Sequence, residues 1–132
     1  VRQAVERFDE KTWPWLVAHG PRPAAYLFTT SYCSTCPDAF KTIWMAAQPS
    51  KVKTQLAVVL MDVEGEQALR HAHHFKGLNR LFAFDGYEPA IRHAIDPDWQ
   101  DITPYIVLID KNGKLSTSLG APSAQALKTW LQ

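Results

Sequence analysis

At 132 residues, against roughly 150 per domain, the chain has the length of one domain with a single sizeable core, and multidomain machinery is excluded. An apolar share of 46% beside 20% charged residues sets it among ordinary globular chains rather than disordered, collagenous or solenoid ones. Lys plus Arg number 14 and Asp plus Glu 13, a net charge of +1. No basic stripe is present to track a phosphate backbone, so nucleic acid is not an expected partner. The longest apolar runs, 56–61 and 105–109, fall far short of the ~20 residues a membrane-spanning helix needs. The chain opens on Val1, and nothing about a signal or anchor ahead of it follows from that.

Residues 9–19 predict a short helix with Pro14 early and Gly20-Pro21 closing it. Ala25–Thr30 predicts a buried strand that runs directly into the only two cysteines. From Pro37 the period turns helical, with Phe40, Ile43, Trp44 and Ala47 on one face until Pro49. Gln55–Val63 is apolar on both alternations, the pattern of a strand covered on both faces. Residues 25–63 therefore read as one βαβ unit with the cysteines at its strand-to-helix junction. A polar helix is expected over Glu66–Phe75, while Gly77–Asp101 shows Gly, Pro and Asp punctuation and no period. The stretch 64–102 is read as an insertion between core elements. Thr103–Ile109 predicts a strand, and Asn112-Gly113 a hairpin turn into a second strand over 114–119. Ser123 is the expected cap of a last helix whose Leu127, Trp130 and Leu131 share a face. Trp13, Trp15, Trp44 and Trp130 fall on the helices and are assigned to the core.

The cysteines stand in Cys33-Ser34-Thr35-Cys36. At a helix start the first sulfur lies near unsatisfied N–H groups and the positive end of the helix dipole, which favour its thiolate. Cys33 is thereby the candidate nucleophile. Cys36, one turn on, is placed to resolve a mixed disulfide and release the product. Three other uses compete. A structural disulfide across two residues would constrain the unfolded chain little, a zinc site lacks a second cysteine pair, and the two could be unrelated buried thiols.

The order strand, Cys-x-x-Cys, helix, strand, then Thr-Pro into a hairpin and a last helix resembles the thioredoxin fold over residues 9–132. Within that superfamily, the run Thr-Pro-Tyr-Ile-Val-Leu-Ile-Asp-Lys-Asn-Gly-Lys-Leu (103–115) is most similar to the bacterial TlpA-type thiol-disulfide oxidoreductases, as is the long gap between Asp62 and Pro104. The resemblance implies one α/β domain over 1–132. Its mixed central sheet of four or five strands would be flanked by helices, with 64–102 inserted between the βαβ unit and the C-terminal hairpin and helix. It implies thiol-disulfide exchange with protein substrates outside the cytoplasm, in the reducing direction, the Cys33–Cys36 disulfide carrying the electrons without an organic cofactor or metal. Pro104 matches the family's cis-proline, and Thr103 the residue before it, whose backbone would pair with a bound substrate strand. Tyr32 stands where the family usually has Trp, and with Trp99 and Tyr105 it is expected to form an apolar rim for substrate. A periplasmic or otherwise extracytoplasmic monomer, anchored ahead of Val1 and served by a membrane-bound redox partner, completes the expectation.

Departures from the pattern sharpen the site. Leu27 occupies the position of thioredoxin's buried acid, six residues before the first cysteine, which leaves Asp62 and Glu64 as substitute proton acceptors for Cys36. His71, His73 and His74 form a cluster in which 71 and 74 share a helix face. Its plain reading is a solvated face. Its rival is a copper-delivery protein of the SCO type using Cys33, Cys36 and a histidine, against which the two-residue cysteine spacing counts. A non-catalytic binding domain on the same fold is the other alternative.

Overall fold

The computed structural model describes residues 3–132. In chain order it contains β1 (Val5–Phe8), α1 (Thr12–His19), β2 (Ala24–Thr29), α2 (Cys36–Ala47), β3 (Gln55–Leu60) and α3 (Gly65–His71). A 3-10 turn at Ala72–His74 follows, then β4 (Arg80–Phe84), α4 (Glu88–Ile95), β5 (Tyr105–Ile109), β6 (Leu115–Leu119) and α5 (Ala124–Trp130). The strands form one sheet in the order β1-β4-β3-β2-β5-β6. The first four in that order run parallel, and β5 and β6 are antiparallel to their neighbours.

Burial of both alternations in the central strands requires cover on both faces, and the helices divide accordingly. Leu27, Val58 and Ile106 point to one side, against Phe40 and Ile43 of α2, Ala68 of α3, and Leu127 and Trp130 of α5. Tyr26, Phe28, Val59 and Phe82 point to the other, against Trp13 and Leu16 of α1 and Ile91 of α4. That second layer is aromatic, with Trp13 edge-on to Tyr26 at 5.2 Å between ring centres.

Local chemistry sets the element ends. The Asp9 carboxylate accepts the N–H groups of Lys11 and Thr12 at 2.9 and 3.1 Å, so α1 starts at Thr12 rather than at residue 9. In the β5–β6 hairpin Gly113 takes the left-handed φ of 86°, and the Asp110 carboxylate accepts from the N–H groups of Asn112 and Lys114. The Ser123 hydroxyl oxygen accepts the Ala126 N–H at 3.1 Å, capping α5 as expected.

Two expectations are corrected. The sheet has six strands, not four or five: β1 (Val5–Phe8) precedes the first expected element, and β4 (Arg80–Phe84) falls in the punctuated stretch 77–101. Since β4 lies between β1 and β3, residues 64–102 add a strand to the sheet and a helix to each of its faces. Trp15 is 57% exposed: with Trp13 and Leu16 facing inward, a residue two on from Trp13 turns away from the sheet, and its ring rests near His19 at 5.2 Å. Trp44 is only half-buried. It closes over Gly77, where an added Cβ would come within 2.1 Å of the indole, and Lys76 sits over the same ring.

Candidate active site

β2 ends at Thr29 and α2 begins at Cys36, and two tight turns join them. The Cys33 N–H donates to the Thr30 carbonyl at 3.3 Å, and the Cys36 N–H to the Cys33 carbonyl at 3.4 Å. Pro37 follows in the first helical turn, where no intrahelical donor is lost. The two cysteines form a disulfide with their Cα atoms 5.5 Å apart.

Their surroundings differ. Cys36 is 0% exposed and packs in the α2-side core with Leu27 and Phe40. Cys33 is half-buried and open to solvent at the start of α2. A thiol arriving from outside can reach the Cys33 sulfur and not its partner. The Thr35 hydroxyl lies 3.8 Å from that sulfur, and the α2 dipole points its positive end toward it.

The turn is tied to the end of β3. The Asp62 carboxylate accepts the Ser31 N–H at 2.9 Å and the Ser31 hydroxyl at 2.6 Å. Asp62 and Glu64 are both exposed, and Asp62 is committed to Ser31. Among the described residues, the only buried polar or charged one is Thr29. Neither sequence candidate therefore replaces the missing acid beneath Cys36, and Leu27 fills that place.

The Thr103–Pro104 peptide bond is cis. Because β5 runs antiparallel to β2 with Tyr105 opposite Phe28, Thr103 and Pro104 reach the sheet end from which the Cys33 turn departs. Pro104 is buried and Thr103 half-buried. A second cis bond, Arg22–Pro23, had no sequence signal. Tyr32 is 79% exposed beside Cys33.

Trp99 and Tyr105 do not join it in a rim. They are buried and stack at 4.6 Å against each other in the α1-side core, because the pleat turns Tyr105 to the face opposite the cysteines. The Trp99 indole N–H donates to the Ile102 carbonyl at 3.0 Å, and the Tyr105 hydroxyl to Asp96 at 2.8 Å. Burial pushes the Tyr105 phenol far above its ordinary range, and the bond to Asp96 adds to this.

Sequence reasoning did not locate the histidines. A cleft of about 270 Å³ opens beside Cys33, walled by the Thr30–Ser34 turn on one side and by His71, His74 and Phe75 on the other. The His71 and His74 rings lie 5.7 Å apart; His73 is outside the lining, with its ring 4.1 Å from that of His74. Their shared face was legible from the spacing, but their arrival at the thiol depends on where α3 docks. Among the described residues no group of three or more His, Cys, Asp or Glu side chains converges as a metal shell.

No family model and no curated protein matches the chain. Solved structures do. The thioredoxin domain of a thiol-disulfide oxidoreductase from Bacteroides vulgatus is similar at a TM-score of 0.63 and 15% identity, over 84% of this chain and 80% of that one. A secreted disulfide oxidoreductase of Mycobacterium tuberculosis, homologous to E. coli DsbE, gives 0.55 at 17% over 83% and 80%. StoA from Bacillus subtilis gives 0.51 at 21% over 84% and 83%. The chain has the thioredoxin-like fold, a mixed sheet between two helical layers. Its Cys33–Cys36 disulfide sits at the β2–α2 junction of that fold.

Proposed function

We propose that the protein is a thiol-disulfide oxidoreductase that reduces protein disulfides outside the cytoplasm. The observation that carries this reading is the asymmetry of one bonded pair: Cys33 open at a helix N-terminus, Cys36 fully buried one turn behind it. In the reduced protein the Cys33 thiolate attacks one sulfur of a substrate disulfide, and the other substrate sulfur leaves as thiolate. Cys36 gives up its proton and attacks Cys33, releasing the second substrate sulfur. The substrate disulfide has then gained two electrons and two protons, and the protein is left with the disulfide seen here. With no buried carboxylate beside Cys36, its proton goes to solvent or to the departing substrate thiolate. Thr103, Pro104 and Tyr32 border the approach to Cys33 and form the substrate-binding edge. No organic cofactor enters these steps, and a membrane-bound donor would return the pair to its dithiol.

The extracytoplasmic placement draws support from the similar M. tuberculosis protein, which is described as secreted. The absence of any cysteine outside the pair suits an oxidising compartment. Two variants test the mechanism. Cys33→Ser abolishes reduction of a protein disulfide, and Cys36→Ser accumulates mixed disulfides visible by mass spectrometry without reductant; two variants that both match the parent would sink it. Direction is read from equilibrium with glutathione: a potential near the thioredoxin value of about −270 mV supports a reductant, and one near about −120 mV reverses the assignment.

A further inference from the structure

The cleft beside Cys33 has a composition that the exchange chemistry does not use. Its volume of about 270 Å³ is below the roughly 300–1,000 Å³ of small-molecule sites, which suits one side chain rather than a cofactor. Leu60, Phe75 and Pro37 supply its apolar lining, and His71 and His74 its imidazoles. No carboxylate lines it, and the nearest acid named above, Asp62, is turned into Ser31. Imidazole offers an N–H donor in either protonation state, and donors to an ionised acceptor make stronger bonds than neutral pairs do.

Resting on the exchange reading above, we propose that this cleft is a specificity subsite for an acidic side chain next to the substrate's reacting cysteine. A glutamate fits it best: its methylene stem lies on Phe75 and Leu60, and its carboxylate meets His71 and His74. The surface thus selects disulfides with an acidic flank. His71 and His74 act on substrate choice and leave the sulfur chemistry to Cys33 and Cys36.

The test uses the full chain and three peptide disulfides alike except that the residues flanking the cysteine are Glu, Gln or Lys, with kcat/KM as the readout. The parent protein is expected to prefer the Glu peptide over the Gln peptide about tenfold, equivalent to about 1.4 kcal/mol, with the Lys peptide slowest. In His71→Gln/His74→Gln the Glu-to-Gln ratio falls to parity, while His93→Gln, on α4 against the opposite face of the sheet, keeps the parent's ratio. The parent's ranking needs no variant and decides the matter even if the double substitution fails to fold. Equal rates for the Glu and Gln peptides, or a ratio unchanged in a folded double variant, would overturn the subsite and leave the exchange reading standing. Exchange with none of the three peptides would overturn that reading and the subsite with it.

Discussion

Ser31 stands two residues before Cys33 and is held through both its N–H and its hydroxyl by one carboxylate, that of Asp62. The clasp fixes the end of β3 to the turn that presents the nucleophile. Asp62 is exposed, so water competes for it, and Asp62→Ala is expected to cost only about 1 kcal/mol of stability, read from the urea midpoint. Its larger effect falls on positioning: exchange slows several-fold, and Asp62→Asn, which keeps an acceptor for the Ser31 N–H, recovers part of the rate. Equal rates in parent and Asp62→Ala would show that the turn holds itself. The cysteines were legible at this scale because their chemistry lies in four adjacent residues. Asp62 was visible only as a strand-end acid, and His71 and His74 only as a helix face, since neither spacing nor composition says what lies across a cleft. Trp99 and Tyr105 misled for the opposite reason, being near Pro104 in sequence and on the other side of the sheet in space.

At the scale of elements, the segments with a clear period or turn signal were read correctly: β2, α2, β3, the β5–β6 hairpin and α5 lie within a residue or a few of their expected places. Others escaped. β4 is a five-residue apolar run inside punctuated sequence, and α4 announces itself only by Pro89 in its first turn and Ile91 and Ile95 one turn apart. What seats the segment before β4 is Gly77, whose left-handed φ of 88° and lack of a Cβ let the chain pass against Trp44. Gly77→Ala must displace that indole or the chain beside it, an overpacking that costs about 1–3 kcal/mol. The 3-10 turn carrying His74 lies just upstream, so the shift reaches the Cys33 cleft as well. Thermal unfolding measures the first effect, and peptide selectivity in the folded variant the second; a substitution with neither would mean that Trp44 moves freely.

Over the whole molecule, the two ends of the pH range act on different groups. At the acid end, backbone N–H groups of Lys11 and, for Asp110, of Lys114 hold the Asp9 and Asp110 carboxyls below their ordinary range. Stability from these groups is present above about pH 3.9 and is lost as pH falls through their lower folded values. The alkaline end belongs to the aromatic face, where burial raises both Tyr26 and Tyr105 above the usual tyrosine value. A raised phenol keeps its proton in the native state while the unfolded chain gives it up near about pH 10. The native state then binds more protons, so stability falls as pH rises through that window. Tyr105→Phe removes one of these groups along with its bond to Asp96. Near neutral pH the variant is expected to be less stable by about 1 kcal/mol, the worth of a hydrogen bond. Above about pH 10 the parent loses the Tyr105 contribution and the variant has none to lose, so urea titrations of the two should converge as pH rises. A constant gap across that range would mean that Tyr105 ionises as readily in the native protein as in the unfolded chain, and would detach the alkaline limb from the stacked pair beneath Thr103 and Pro104.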